Sequence, residues 1–200
     1  MERRPYGPRA WLVEGVDDPP GWAAALAAID VPGVVEIVPA ETTVVVRCMQ
    51  ERHEQIGPVL DIVVPAPVEP DGEQPITIDV VYDGPDIAAL ATAAQVSVDD
   101  VVRLHATGSY RVAFCGFSPG FAYLRGIDPR LHVPRRETPR FSVPAGSVGV
   151  AAGYSCVYPS ASPGGWHVIG HTTHTLWDVD SDPPALLRPG RAVRFRMVSG

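Results

Sequence analysis

The chain has 200 residues, a formal net charge of −7 and no lysine, since all 16 basic residues are arginine. That length allows one large domain or two small ones with sizeable cores. The missing lysine removes P-loop, Schiff-base and Ser–Lys chemistries, and the acidic balance argues against a nucleic-acid partner, which needs a basic face. No apolar run is long enough to span a membrane, and Met1-Glu-Arg-Arg-Pro-Tyr6 lacks the apolar stretch of a signal peptide. Cys48, Cys115 and Cys156 are an odd number without metal-ligand spacing, which fits a reducing, cytoplasmic setting.

In chain order, AWLVE at 10–14 predicts a strand and WAAALAAI within 19–30 predicts a helix. The β-branched runs 34–38 and 43–48 predict a hairpin. A short polar helix at 51–56 is expected to lead into a strand at 59–64, VLDIVV, which together suggest a split βαβ arrangement. Residues 65–75, PAPVEPDGEQP, hold four prolines and three acids and read as a linker. Past it, 76–82 alternates as a strand, and Asp83-Gly-Pro-Asp86 is expected to open a helix with proline in its first turn. Ser97 with Asp100 forms a capping-box pattern for a second helix. A helix-turn-helix reading is opposed by Asp83, Asp86, Asp99 and Asp100, which repel a phosphate backbone. From Tyr110 the chain becomes short strands divided by Gly/Pro turns: RVAFC, FSV, SVGVAA, WHVIG, TLWDV and VRFRMV. The expected class is α+β, with a small α/β domain over 1–74 and a compact β-barrel or barrel-like sandwich over 75–200.

Gly116-Phe-Ser-Pro-Gly120 matches the G-x-S-x-G nucleophile elbow, which needs an oxyanion donor N–H on the residue after serine. That residue is Pro119, which has none. Pro119 and Gly120 instead specify a type II turn. Phe117 and Phe121 bracket the turn and Tyr123 follows. Each ring has two open roles, filling the core or lining a pocket rim where glycines admit a ligand. Residues 128–140, DPRLHVPRRETPR, concentrate Arg130, Arg135, Arg136 and Arg140 in an acidic chain. They make either a carboxylate or phosphate site or a solvated loop. Ser162-Pro-Gly-Gly165 can wrap a ligand with hydroxyl and backbone donors, and Tyr158 and Trp166 either stack on a planar group or plug the barrel. No metal site is expected: His167 and His171 stand roughly 13 Å apart on a strand, and no carboxylate pattern completes a set. His105 ends the second helix, as a dipole-facing cation or as a catalytic group.

The ordered elements GFSPGF, DPRL, PRR, VPAGSVG, YP and SPGGW resemble the family of the B subunit of prokaryotic 5-oxoprolinase, also labelled allophanate hydrolase subunit 1 and related to Kip-type kinase inhibitors. YDGPDI opens the second domain as in that family, and 32–47 matches it more loosely. The resemblance implies a cyclophilin-like barrel. It also implies a complex with the oxoprolinase C subunit (directly) and A subunit, which uses ATP, with its accompanying Mg, to open 5-oxoproline to glutamate. Arg135, Arg136 and Arg140 fit the cationic stabilisation that such a step needs, and His105 stands beside them as a catalytic candidate. Phe117, Pro119, Gly120, Tyr123, Ser147, Tyr158, Ser162, Gly164, Gly165 and Trp166 are implied to contact substrate or nucleotide. Without lysine or a P-loop, the nucleotide site is expected to be shared with a partner. The alternative is a regulatory protein that binds a histidine kinase. Two positions depart from the family pattern: Tyr154 where glutamine is usual, and His171 where arginine is usual.

Overall fold

A computed structural model describes residues 1–65 and 74–200, and the chain divides into two compact units, Met1–Gly72 and Glu73–Gly200. Most of the segment 65–75, read above as a linker, lies outside the described residues.

The first unit is a four-stranded antiparallel sheet in the order β1 (Glu2–Pro5), β2 (Ala10–Glu14), β4 (Thr43–Cys48), β3 (Val34–Pro39). Strict alternation along β4 turns Val44, Val46 and Cys48 inward. Helix α1 (Pro19–Ile29) brings Trp22 and Leu26 to the same core, with two prolines where helical N–H groups have no partner anyway. The expected strand at 59–64 does not form: Val59 and Leu60 end helix α2 (His53–Leu60). Ile56 and Leu60, four apart, share one helical face buried in the core, and that burial outweighs the β-branched preference of the run. Strand β1 has no hydrophobic pattern to announce it, because it is an exposed edge held by backbone pairing to β2.

In the second unit, β5 (Ile76–Val80) is followed by helices α3 (Ile87–Ala94) and α4 (Val98–Ala106). Then come β6 (Tyr110–Cys115), β7 (Ala122–Arg125), β8 (Arg140–Val143), β9 (Ser147–Ala151), β10 (Tyr154–Val157), β11 (Ser162–Gly164), β12 (His167–His171) and β13 (Ala192–Met197). Seven strands pair in the order β12-β9-β10-β7-β6-β13-β5, all antiparallel except β13 with β5. The reciprocal bonds between Val81 and His171, 3.0 and 2.9 Å, join the two edges and close the barrel. Helix α4 carries the capping box, Asp100 N–H donating to Ser97 Oγ at 3.0 Å. Pro85 does not enter the first turn of α3; it precedes Asp86, the residue at the cap position of the helix. TLWDV forms no strand, only a bridge from Trp177 to Ala185, because the Asp178 carboxylate turns the chain by accepting from Asp180 N–H and Ser181 Oγ–H.

Every residue of β9 is buried. Val148 and Val150 face the main core, whereas Ala151 belongs to a second cluster with Phe121, Val143, Cys156, Tyr158 and Trp166. A strand has two faces, so this second core lies on the opposite side of β9 from the first. Val143, at the end of β8 in the two-stranded ribbon β8–β11, is the ribbon's member of this cluster.

Candidate functional site

The 118–121 turn forms as its residues demand. Phe121 N–H donates to Ser118 O at 3.0 Å, and Gly120 takes φ +78° at the third position of a type II turn. The two rings then part. Phe121 is buried, edge-on to Tyr158 at 5.3 Å and to Tyr123 at 5.2 Å. Phe117 stays 64 % exposed and holds φ +75°, a backbone region that costs a bulky L-residue energy. It stands 5.4 Å from Phe121 at 73°, over the opening of a cleft of about 80 Å³.

The far wall of the cleft is the end of β11 and the residues after it, Pro163 to Trp166. Glycine is required at 164, where a Cβ would come within 2.2 Å of Tyr158 Oη. Tyr158 is fixed by Gly146 N–H donating to its carbonyl and by its own N–H donating to Ser147 O, and burial pushes its phenol pKa up. The phenol is therefore protonated at neutral pH. Arg135 completes the cleft, exposed, with its guanidinium 5.7 Å from the Trp166 ring centroid. Among the described residues no carboxylate pairs with it.

The other two arginines of the segment point elsewhere. Arg136 Nη1 donates to Asp86 Oδ1 at 2.5 Å, and Arg140 reaches both Asp86 oxygens at 2.6 and 2.7 Å. Val168 N–H gives the same carboxylate a further bond at 2.8 Å. Burial alone would raise the Asp86 pKa, but these bonds and the two positive charges outweigh it and hold the carboxylate ionised. Arg136 and Arg140 are thus both bonded to one internal anion, and neither lines the cleft.

His105 lies in the interior near the end of α4. It is fully buried, with Nδ1 bonded to Tyr82 Oη at 2.7 Å and Nε2 to Ser155 Oγ at 2.8 Å. Desolvation lowers its pKa from 6.5 to about 3, so the ring is neutral and no cation faces the helix dipole. It does not line the cleft. Of the expected ligand contacts, Phe117, Tyr123, Tyr158, Gly164, Gly165 and Trp166 share the cleft with Arg135. Pro119 and Ser162 do not line it, and Ser147 is buried behind Tyr158 as a backbone partner. Gly120 backs onto Trp177, where a Cβ would meet the Trp177 Cβ at 2.7 Å, so no ligand approaches its backbone there. Sequence reasoning missed Asp86 as the partner of the arginines, because 50 and 54 positions separate the members and no local spacing joins them.

Among the described residues the buried Ser118 hydroxyl has no hydrogen-bond partner, and no base there activates it. Burial raises the Cys115 thiol to about 11 and the Cys156 thiol well above its usual value. Among the described residues no group of three or more His, Cys, Asp or Glu is placed to hold a metal. His171, one of the departures from the family pattern, pairs with Asp83 at 2.8 Å. Tyr154, the other, packs edge-on to Tyr123 at 5.9 Å.

A family model described as carboxyltransferase domain, subdomain C and D, matches residues 2–187. A protein named as the B subunit of 5-oxoprolinase, from Escherichia coli O157:H7, is 42 % identical over 186 residues, 87 % of this chain and 83 % of its own length. Among solved structures, TTHA0988 superposes with TM-score 0.82 at 31 % identity over 96 % of this chain. The chain spans only 41 % of that longer protein. PH0987 from Pyrococcus horikoshii aligns over 99 % of this chain and 98 % of its own, with TM-score 0.61 and 35 % identity.

Proposed function

The chain belongs to the family described as carboxyltransferase domain, subdomain C and D, and from that premise we propose that it is one component of an ATP-dependent 5-oxoprolinase complex. One observation carries the placement of substrate: the exposed guanidinium of Arg135 has no acid partner among the described residues and stands over Trp166 at the mouth of a small aromatic cleft. 5-Oxoproline is a five-membered lactam bearing one carboxylate. Its flat ring suits the edges of Phe121 and Trp166, and its carboxylate suits the guanidinium fork. The cleft, about 80 Å³, is well below the ~300 Å³ and more of a typical ligand pocket, so it holds a small acid and not a nucleotide.

Phosphorylation of the amide oxygen by ATP makes the ring carbon attackable. Water oxygen then bonds to that carbon and the C–N bond breaks, the nitrogen taking a proton of that water to become the glutamate amine. A second water then displaces phosphate from the resulting acyl phosphate, leaving the side-chain carboxylate. In this reading the present chain orients the substrate and shields one face of it. The oxoprolinase C subunit, in direct contact, and the A subunit complete the nucleotide site. Mg²⁺ accompanies the ATP, and no residue of this chain is assigned to it. The chain alone is inactive.

The test is reconstitution with the cognate subunits and measurement of 5-oxoproline-dependent ADP and glutamate release. Arg135→Gln should raise KM for 5-oxoproline by at least about tenfold, the loss of one charge-assisted contact. Absence of activity in a complex containing all components refutes the proposal, and an unchanged KM refutes the place given to Arg135.

A further inference from the structure

We propose that Asp86 is a positioning residue for the cleft, aiming Arg135 by holding the two arginines that follow it in sequence. The inference rests on Arg135 being the anion contact proposed above. Asp86 is nearly inaccessible to solvent and has no capping bond to its own helix. Its carboxylate instead accepts from three places in the fold: Arg136, Arg140 at the start of β8, and the Val168 backbone in β12. Its backbone N–H also donates to Val168 O at 3.0 Å, so the residue is locked to β12 twice.

This arrangement fixes the chain on both sides of Arg135. On one side, His167 Nε2 bonds Pro134 O at 3.1 Å. On the other, Arg136 N–H donates to Gly165 O at 2.8 Å while its side chain is drawn to Asp86. Of the three cations Arg135, Arg136 and Arg140, two are turned inward by one carboxylate and the third is left over Trp166. Were Asp86 neutral, Arg136 and Arg140 would lose their counter-charge and be drawn toward solvent or toward the anion that Arg135 otherwise takes. Asp86 does not line the cleft; it acts through its neighbours. The cost of one buried carboxylate serves discrimination, because a single correctly aimed cation binds a small acid in one orientation.

Arginine modification by phenylglyoxal tests the arrangement on the full chain without substrate. Because the chain contains no lysine, tryptic cleavage reports on arginines alone. Arg135 should react at least about tenfold faster than Arg136 and Arg140, as expected for charge-assisted bonds that protect the latter two. In Asp86→Asn that difference should collapse. In the reconstituted complex the same variant should raise KM for 5-oxoproline about tenfold while kcat changes less than about twofold, the pattern of lost binding rather than lost chemistry. If Asp86→Asn does not fold, Arg140→Gln removes both Arg140 bonds but leaves Arg136 paired with Asp86, so Arg136 should stay protected. Equal modification rates in the unaltered chain, undiminished protection of Arg136 in Asp86→Asn, or loss of that protection in Arg140→Gln, overturn the proposal. So does an active Asp86→Asn complex with KM unchanged. An inactive unaltered complex refutes the substrate reading only, and the modification rates then decide the positioning role by themselves.

Discussion

Lowering the pH from 7.5 to 5 should destabilise the second unit by about 2 kcal/mol through His105 alone. In the native state the ring is enclosed by Phe195 at 4.4 Å and Tyr110 at 5.3 Å, and its pKa falls from 6.5 to about 3. Above the unfolded value neither state carries the proton, so the burial has no protonation cost. Below 6.5 the unfolded chain takes up a proton that the native ring refuses, and stability falls until the native pKa is reached. At pH 5, about 1.5 pH units below the unfolded value, the loss is ~1.36 kcal/mol per pH unit, hence about 2 kcal/mol. This figure does not depend on the native value so long as that lies well under 5. The carboxylates whose pKa is lowered to about 2, Asp100 and Asp128, lose their stabilising pairs only below about 4, outside this window. Urea titrations between pH 7.5 and 5 provide the assay, read through Trp166 and Trp177 in a chain carrying Trp11→Phe and Trp22→Phe. His105→Gln should flatten the slope whatever its absolute stability. A slope that survives in His105→Gln, or a change under about 0.5 kcal/mol in the parent chain, refutes the neutral buried ring.

Three further outcomes are expected. Gly164→Ala drives a Cβ to 2.2 Å from the buried Tyr158 hydroxyl, an overpacking that should cost ~1–3 kcal/mol, and an unchanged melting temperature would contradict the packing of that wall. Phe117→Gly relieves a positive φ of 75° at an exposed position and should stabilise by ~1 kcal/mol while raising KM; a lower melting temperature would show that the ring contributes packing. Ser118→Ala removes a buried hydroxyl with no partner among the described residues, so turnover and stability should be nearly unchanged, and a large loss of turnover in the folded variant would return the serine to the chemistry.

Much of the second unit is legible from local chemistry. The capping box of Ser97 and Asp100 and the type II turn at 118–121 depend on neighbours within four residues, and both form as their residues require. The β-branched run 43–48 of the first unit, and RVAFC and SVGVAA of the second, likewise become strands. The run at 59–64 misleads because two signals compete: β-branched composition favours a strand, while the i, i+4 spacing of Ile56 and Leu60 fits the core of the first unit. Only the packed core chooses between them. TLWDV fails similarly, since side-chain bonds of Asp178 fold the chain before a strand can extend.

At Ser118, the amino-acid order already removes the oxyanion donor that a nucleophile elbow needs, because proline at 119 has no N–H wherever the fold places it. The same order marks the arginine segment and the SPGGW run as the places where a ligand would be met. Which arginine is left without a carboxylate among the described residues is decided in three dimensions. Arg135, Arg136 and Arg140 are chemically identical, and their different roles come from a carboxylate some fifty residues earlier that captures two of them. Charge pairing acts through space, so a short stretch of sequence cannot say which cation remains free.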